Sequence, residues 1–104
     1  MVRPHRCRRV NLEPNFTYFK PRGIPLVELQ EVILRVDEFE AVRLKDLEGL
    51  EQGECAIKMN ISQPTFHRLI LSARKKIADA IVNGKAIKIE GGTIKYEKES
   101  NKTY

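Results

Sequence analysis

Leu50–Ala80 reads LEQGECAIKMNISQPTFHRLILSARKKIADA, and the spacing of its apolar residues decides the fold class. Leu50, Cys55, Ala56 and Met59 recur at helical rather than alternating intervals. Asn60 interrupts that run, and asparagine tolerates the left-handed conformation that ends helices. Ile61 follows, and then Ser62, whose hydroxyl is a good acceptor for the free amides of a new helix. Pro64 falls in that helix's first turn, where a missing N–H breaks no intrahelical bond. The second helix carries Phe66, Leu69, Ile70, Ala73 and Ile77 on one face. Short helix, tight turn and longer helix is the order of a helix-turn-helix unit.

The details of spacing sharpen that expectation. Ala56 stands four residues before Asn60, where two crossing helices need a small side chain, and Ile61 and Phe66 are placed to fill the angle between them. Gln63, Pro64, His67 and Arg68 then face outward at the start of the second helix, the part that enters a major groove in such motifs. Arg74, Lys75 and Lys76 lie farther along. The plainer alternative is a helical hairpin with a solvated charged face.

Outward from the motif, the chain of 104 residues is long enough for one domain. Its net charge of +5 is segregated: +5 over residues 1–23, −5 over 24–60, +3 over 61–80 and +2 over 81–104. Positive charge collects on the N-terminal stretch and the second helix of the motif, a pattern that suits a polyanion binder. No run is apolar enough to span a bilayer, and the start, MVRPHRCRRV, has no apolar signal core, so the expected location is the cytoplasm. Cys7 and Cys55 are expected to be free thiols there.

Residues 1–14 read as a basic arm with little to bury, the 15–97 stretch as one domain built on the 50–80 motif, and 98–104 as a flexible tail. Phe16, Tyr18 and Phe19 favour a short strand over 16–20, with the aromatics covering one side of the core. Leu26–Val36 is ambiguous between helix and strand. Asp37 is expected to cap a helix over 37–50, with Phe39, Val42, Leu44 and Leu47 buried and Gly49 as its stop. Asn83-Gly84 ends the long helix, and Gly91-Gly92 between two β-like runs predicts a hairpin over 85–96, partnered by the 16–20 strand. The expected class is therefore mainly α, a helix-turn-helix domain with short strands or a hairpin.

The motif resembles the helix-turn-helix of the sigma-factor domain that reads the −35 promoter element, through the turn and into SARKKIADA. Nearly the whole chain resembles a family of small predicted DNA-binding proteins of archaea and bacteria. RPHRCRRV, TYFKPRGIPL, VDEFEAVRLKDLEGL, SQPTFHRLILSARKKIADA and GKAIKIEGG carry that likeness, in order. The resemblance implies a sigma-like transcriptional regulator of the winged or tetrahelical kind. Asn60 stands where glycine is frequent in such turns, and Gln63-Pro64 where many relatives carry arginine.

Sequence-specific binding to double-stranded DNA is the leading expectation, with the 63–80 helix in the major groove. Gln63, His67 and Arg68 would read base edges. Ser62, Thr65, Arg74, Lys75 and Lys76, with Arg3, Arg6, Arg8 and Arg9 of the arm, would contact the DNA backbone. A homodimer and a contact with RNA polymerase are further candidate partnerships. The alternatives are a protein–protein adaptor, for which outward-facing Leu71 is the clue, and RNA binding through the aromatic strand. No enzyme, cofactor or metal is expected: phosphate loop and dinucleotide fingerprint are lacking, and His5, Cys7, Cys55 and His67 do not have zinc-site spacing.

Overall fold

A computed structural model describes residues 7–97 of the chain. Three helices and five short strands make a small α/β domain: β1 (Arg8–Val10), β2 (Tyr18–Phe19), β3 (Glu31–Leu34), α1 (Val36–Val42), α2 (Gln52–Met59), α3 (Gln63–Asn83), β4 (Ala86–Ile89) and β5 (Ile94–Tyr96). A 3₁₀ turn at Leu26–Glu28 precedes β3, and a π-type turn at Arg43–Leu47 follows α1.

Pairing between distant strands frames the helices. β4 lies between β2 and β3, antiparallel to β2 and parallel to β3, with Leu34 opposite Ile89. A parallel pair needs a crossover, and here all three helices supply it. The expected partnership between the 16–20 strand and the β4 run is present, with Phe19 opposite Ile87.

The expected 85–96 hairpin is not formed. β5 leaves β4's sheet and pairs in parallel with β1, Arg8 opposite Ile94. Gly91 and Gly92 have φ of +80° and +100°, but they do not fold the chain back on itself. They carry it past the start of α1: Val36 N donates to Gly91 O at 3.0 Å. A Cβ on Gly92 would stand 3.3 Å from Asp37 Oδ1. Close approach, as well as turn geometry, calls for glycine here.

That contact also moves the start of α1. Arg35, in extended backbone, occupies the cap position in place of Asp37, and Glu38 reaches back to accept from Arg35 N–H at 2.9 Å. The helix expected over 37–50 widens into a π-type turn at Arg43, where Glu48 N donates to Arg43 O. The change of period carries Leu47 outward, and it is 78% exposed rather than buried. Leu44 is buried as expected, and Gly49 closes the element at φ +78°.

Two apolar clusters meet at Val42. Ala41, Leu44, Cys55, Ala56, Met59, Phe66, Leu69 and Ile70 join the three helices. Val10, Leu34, Val36, Ala73 and Ile89 join the sheets to α1 and α3. The aromatics expected to cover the core do not: Phe16 is 76% exposed and Phe19 52%. Tyr18 donates its hydroxyl to Glu31 Oε2 at 2.7 Å, an anchor at the sheet edge rather than in the core.

Candidate functional site

The site grows from the turn between α2 and α3. Asn60 has φ +59° and ψ +45°, and its N–H and that of Ile61 return to carbonyls of α2. That left-handed residue stops α2 within one step. Ser62 is then the N-cap of α3: its Oγ accepts from Thr65 N at 3.3 Å and donates to Thr65 Oγ1 at 2.8 Å. Pro64 lies in the first turn, as its lack of an N–H permits. Phe66, fully buried, and half-buried Ile61 fill the angle between the helices.

These anchors leave the start of α3 facing solvent. Gln63, Pro64, His67 and Arg68 are all exposed, as the spacing implies. Arg68 Nη2 lies 3.4 Å from Thr65 Oγ1, and Gln52 Nε2 of α2 lies 3.3 Å from His67 Nδ1. Pro64, Arg68, Leu71 and Lys75, at intervals of four, three and four, form one outward strip.

The expected backbone-contacting residues divide. Lys75 is exposed and makes no ion pair among the described residues. Arg74 is held by Asp46 of the π-type turn, Nη2 to Oδ1 at 2.6 Å and Nε to Oδ2 at 3.1 Å. That bidentate hydrogen bond draws the Asp46 carboxyl below its ordinary range. Lys76 is engaged by Glu38, Nζ to Oε1 at 2.7 Å. Ser62 and Thr65 are tied into the helix cap. Arg8 and Arg9 lie in β1, Arg8 Nε at 3.5 Å from Asp37 and Arg9 Nε at 2.7 Å from Glu97. Arg3 and Arg6 lie outside the described residues.

The sequence shows a cluster of carboxylates at the start of α1 but not their burial. Asp37, Glu38 and Glu40 are all buried, and each holds charged or N–H partners. Asp37 accepts from Arg35 Nε at 3.1 Å. Glu38 accepts from Lys76, from Ser72 Oγ at 2.6 Å and from Arg35 N. Glu40 accepts from Arg43 at 2.8 and 2.9 Å and from Asn11 N at 3.0 Å. Burial pushes the Glu38 carboxyl up, but the bonds from Lys76, Ser72 and the Arg35 amide outweigh it, leaving the group below its ordinary value. The sequence signal was visible but ambiguous, since acidic residues in a first turn also suit the helix dipole at the surface. Burial pushes the Cys55 thiol up, as for a small core residue. No described helix is long and apolar enough to cross a membrane.

Comparison with known proteins finds relatives of similar sequence along most of the chain. The family model described as "Protein of unknown function DUF134" matches residues 1–97. A UPF0251 protein of Thermoanaerobacter sp. (strain X514) is 63% identical over 100 residues, covering 95% of this chain and 88% of its own. One from Caldanaerobacter subterraneus subsp. tengcongensis is 67% identical over 95 residues, 91% of this chain and 80% of its own. A third, from Moorella thermoacetica, is 62% identical over 92 residues, 88% of this chain and 62% of its own. No solved structure matches the chain.

Proposed function

We propose that this chain, which belongs to the DUF134 family, is a sequence-specific binder of duplex DNA and a transcriptional regulator. In this reading α2 and α3 are a sigma-like helix-turn-helix, and α3 enters the major groove. The observation that carries it is the exposed set Gln63, Pro64, His67 and Arg68 at the capped start of α3, propped by α2 across the left-handed Asn60. Such a helix start is the part that reaches base edges in helix-turn-helix proteins.

The side chains suit the task. Glutamine pairs with adenine, arginine with guanine, and each can do so through two hydrogen bonds. Lys75 on the outward strip suits a phosphate, and Arg74 could exchange Asp46 for one, since the Arg74 and Asp46 side chains are 43% and 39% exposed. Three base readers are few, so a homodimer on two half-sites about 34–36 Å apart is part of the proposal. Contact with RNA polymerase would follow from the sigma-like arrangement.

One observation favours a second reading. Phe16 and Phe19 stand exposed near Lys20 and Arg22, and exposed aromatics stack on unpaired bases. Lys20, however, spends its ammonium on the carbonyls of Pro21 and Ile24. Selection of bound fragments from genomic duplex DNA, with single-stranded RNA as competitor, tests both. Recovery of one duplex motif supports the DNA reading. Binding that RNA abolishes and Phe16→Ala with Phe19→Ala removes would replace it.

A further inference from the structure

Gln52, the first residue of α2, reaches across to α3, where its amide Nε2 meets His67 Nδ1 at 3.3 Å. Gly53 follows, and a Cβ built there would stand 3.6 Å from Gln63 Oε1. The first turn of α2 is thus a wall beside two of the outward side chains of α3. Gln52 is half-buried, whereas His67 is exposed. A hydrogen bond at the surface adds only modestly to stability, so its main effect is on the ring's orientation and proton.

A neutral imidazole carries its proton on one nitrogen, and the partner of the other nitrogen selects which. An amide N–H donated to Nδ1 needs a lone pair there, which leaves the proton on Nε2. We propose that Gln52 is a positioning residue for His67, presenting Nε2–H to a hydrogen-bond acceptor on a base edge of the DNA. This rests on the DNA-binding reading above. In the major groove guanine offers two neighbouring acceptors, N7 and O6, whereas cytosine offers only a donor. Adenine N7 and thymine O4 accept as well, so His67 discriminates against cytosine at the base it meets and favours guanine, which offers two acceptors side by side.

Two substitutions separate the parts of this idea. Gln52→Leu keeps the bulk and removes the donor. Gln52→Glu can only accept, and so requires a proton on Nδ1. The tautomer is read in the full chain without DNA, from long-range proton–nitrogen spectra of the imidazoles, with His67 signals identified by their loss in His67→Gln. The wild type should show Nε2 protonated and Nδ1 bare; Gln52→Glu should move the proton to Nδ1, and Gln52→Leu should give a mixture. On selected duplexes, Gln52→Leu should weaken the preferred site by about three- to tenfold and lose the guanine preference at one base pair, with random duplex bound as before.

A wild-type ring protonated on Nδ1, or a ring unchanged in both variants, overturns the proposal with DNA binding intact. So does a Gln52→Leu variant that keeps every base preference. A wild type that selects no duplex sequence overturns the DNA-binding reading as well, and the spectra recorded without DNA show that this failure came from the reading rather than from the tautomer.

Discussion

Lys76 Nζ lies 2.7 Å from Glu38 Oε1, and Glu38 has no exposed surface. Thirty-eight positions separate the two residues, and their contact bolts α3 to α1. A carboxylate taken wholly out of water needs compensating donors, and Lys76, Ser72 and the Arg35 amide supply them. The basic cluster 74–76 is thus not a uniform patch. Lys76 is a structural cation, Arg74 is clamped to Asp46, and Lys75 faces solvent.

Lys76→Ala should therefore destabilise the fold by about 3 kcal/mol, because it strands a buried carboxylate. Urea unfolding measures it. A change below about 0.5 kcal/mol would mean that Ser72 and the Arg35 amide are enough for Glu38.

Stability should also fall on acidification, and the sign follows from Glu38. Its folded carboxyl titrates below the ordinary value of 4.5, so the stabilisation is complete above that pH. It is lost as pH drops through the folded value. Glu38→Gln should flatten this part of the profile, measured as unfolding free energy from pH 7 down to pH 3 (roughly the carboxylate range). Parallel profiles for variant and wild type would assign the acid sensitivity to other carboxylates.

Removing the cap of α3 tests the local architecture of the site. Ser62→Ala leaves the Thr65 amide without its acceptor and should cost about 1 kcal/mol. Ser62→Asp restores an acceptor and should recover most of it. Equal urea midpoints for Ser62→Ala and wild type would show that the cap bond contributes nothing.

Under the proposed function, Arg68→Ala should weaken the preferred duplex by about 1–3 kcal/mol and relax one base position. Lys75→Ala should instead lower the slope of log affinity against log salt by about 1, with sequence preference unchanged. Uniform loss on specific and random duplexes for Arg68→Ala would reassign it to the phosphates.

Deletion of residues 1–9 should lower stability as well as charge. The stretch read as an arm contains most of β1, which pairs with β5, and Arg8 beside buried Asp37. The expected loss is about 2 kcal/mol in urea unfolding, from strand hydrogen bonds and a partner of a buried carboxylate. An unchanged midpoint would mean that the segment is energetically a free arm.

What the sequence determined by itself is local. Asn60, Ser62, Pro64 and Gly84 each act on residues within four positions, so the stop of α2, the cap of α3 and its end at Gly84 could be read directly. The exposed positions of Gln63, His67 and Arg68 followed from the same period. Tertiary structure decided whatever depends on a partner far along the chain. Gly91-Gly92 looked like a hairpin until α1 occupied the space beside it, and β5 found β1 instead of β4. The burial of Asp37, Glu38 and Glu40 was not legible, because nothing nearby in the sequence announces Arg8, Lys76 or Asn11 as their partners. Leu47 obeyed the α-helical period on paper, but the π-type turn changed that period and exposed it. Caps and stops depend on short-range geometry that the chain carries with it; strand pairing and charge burial depend on which distant surfaces the fold brings together.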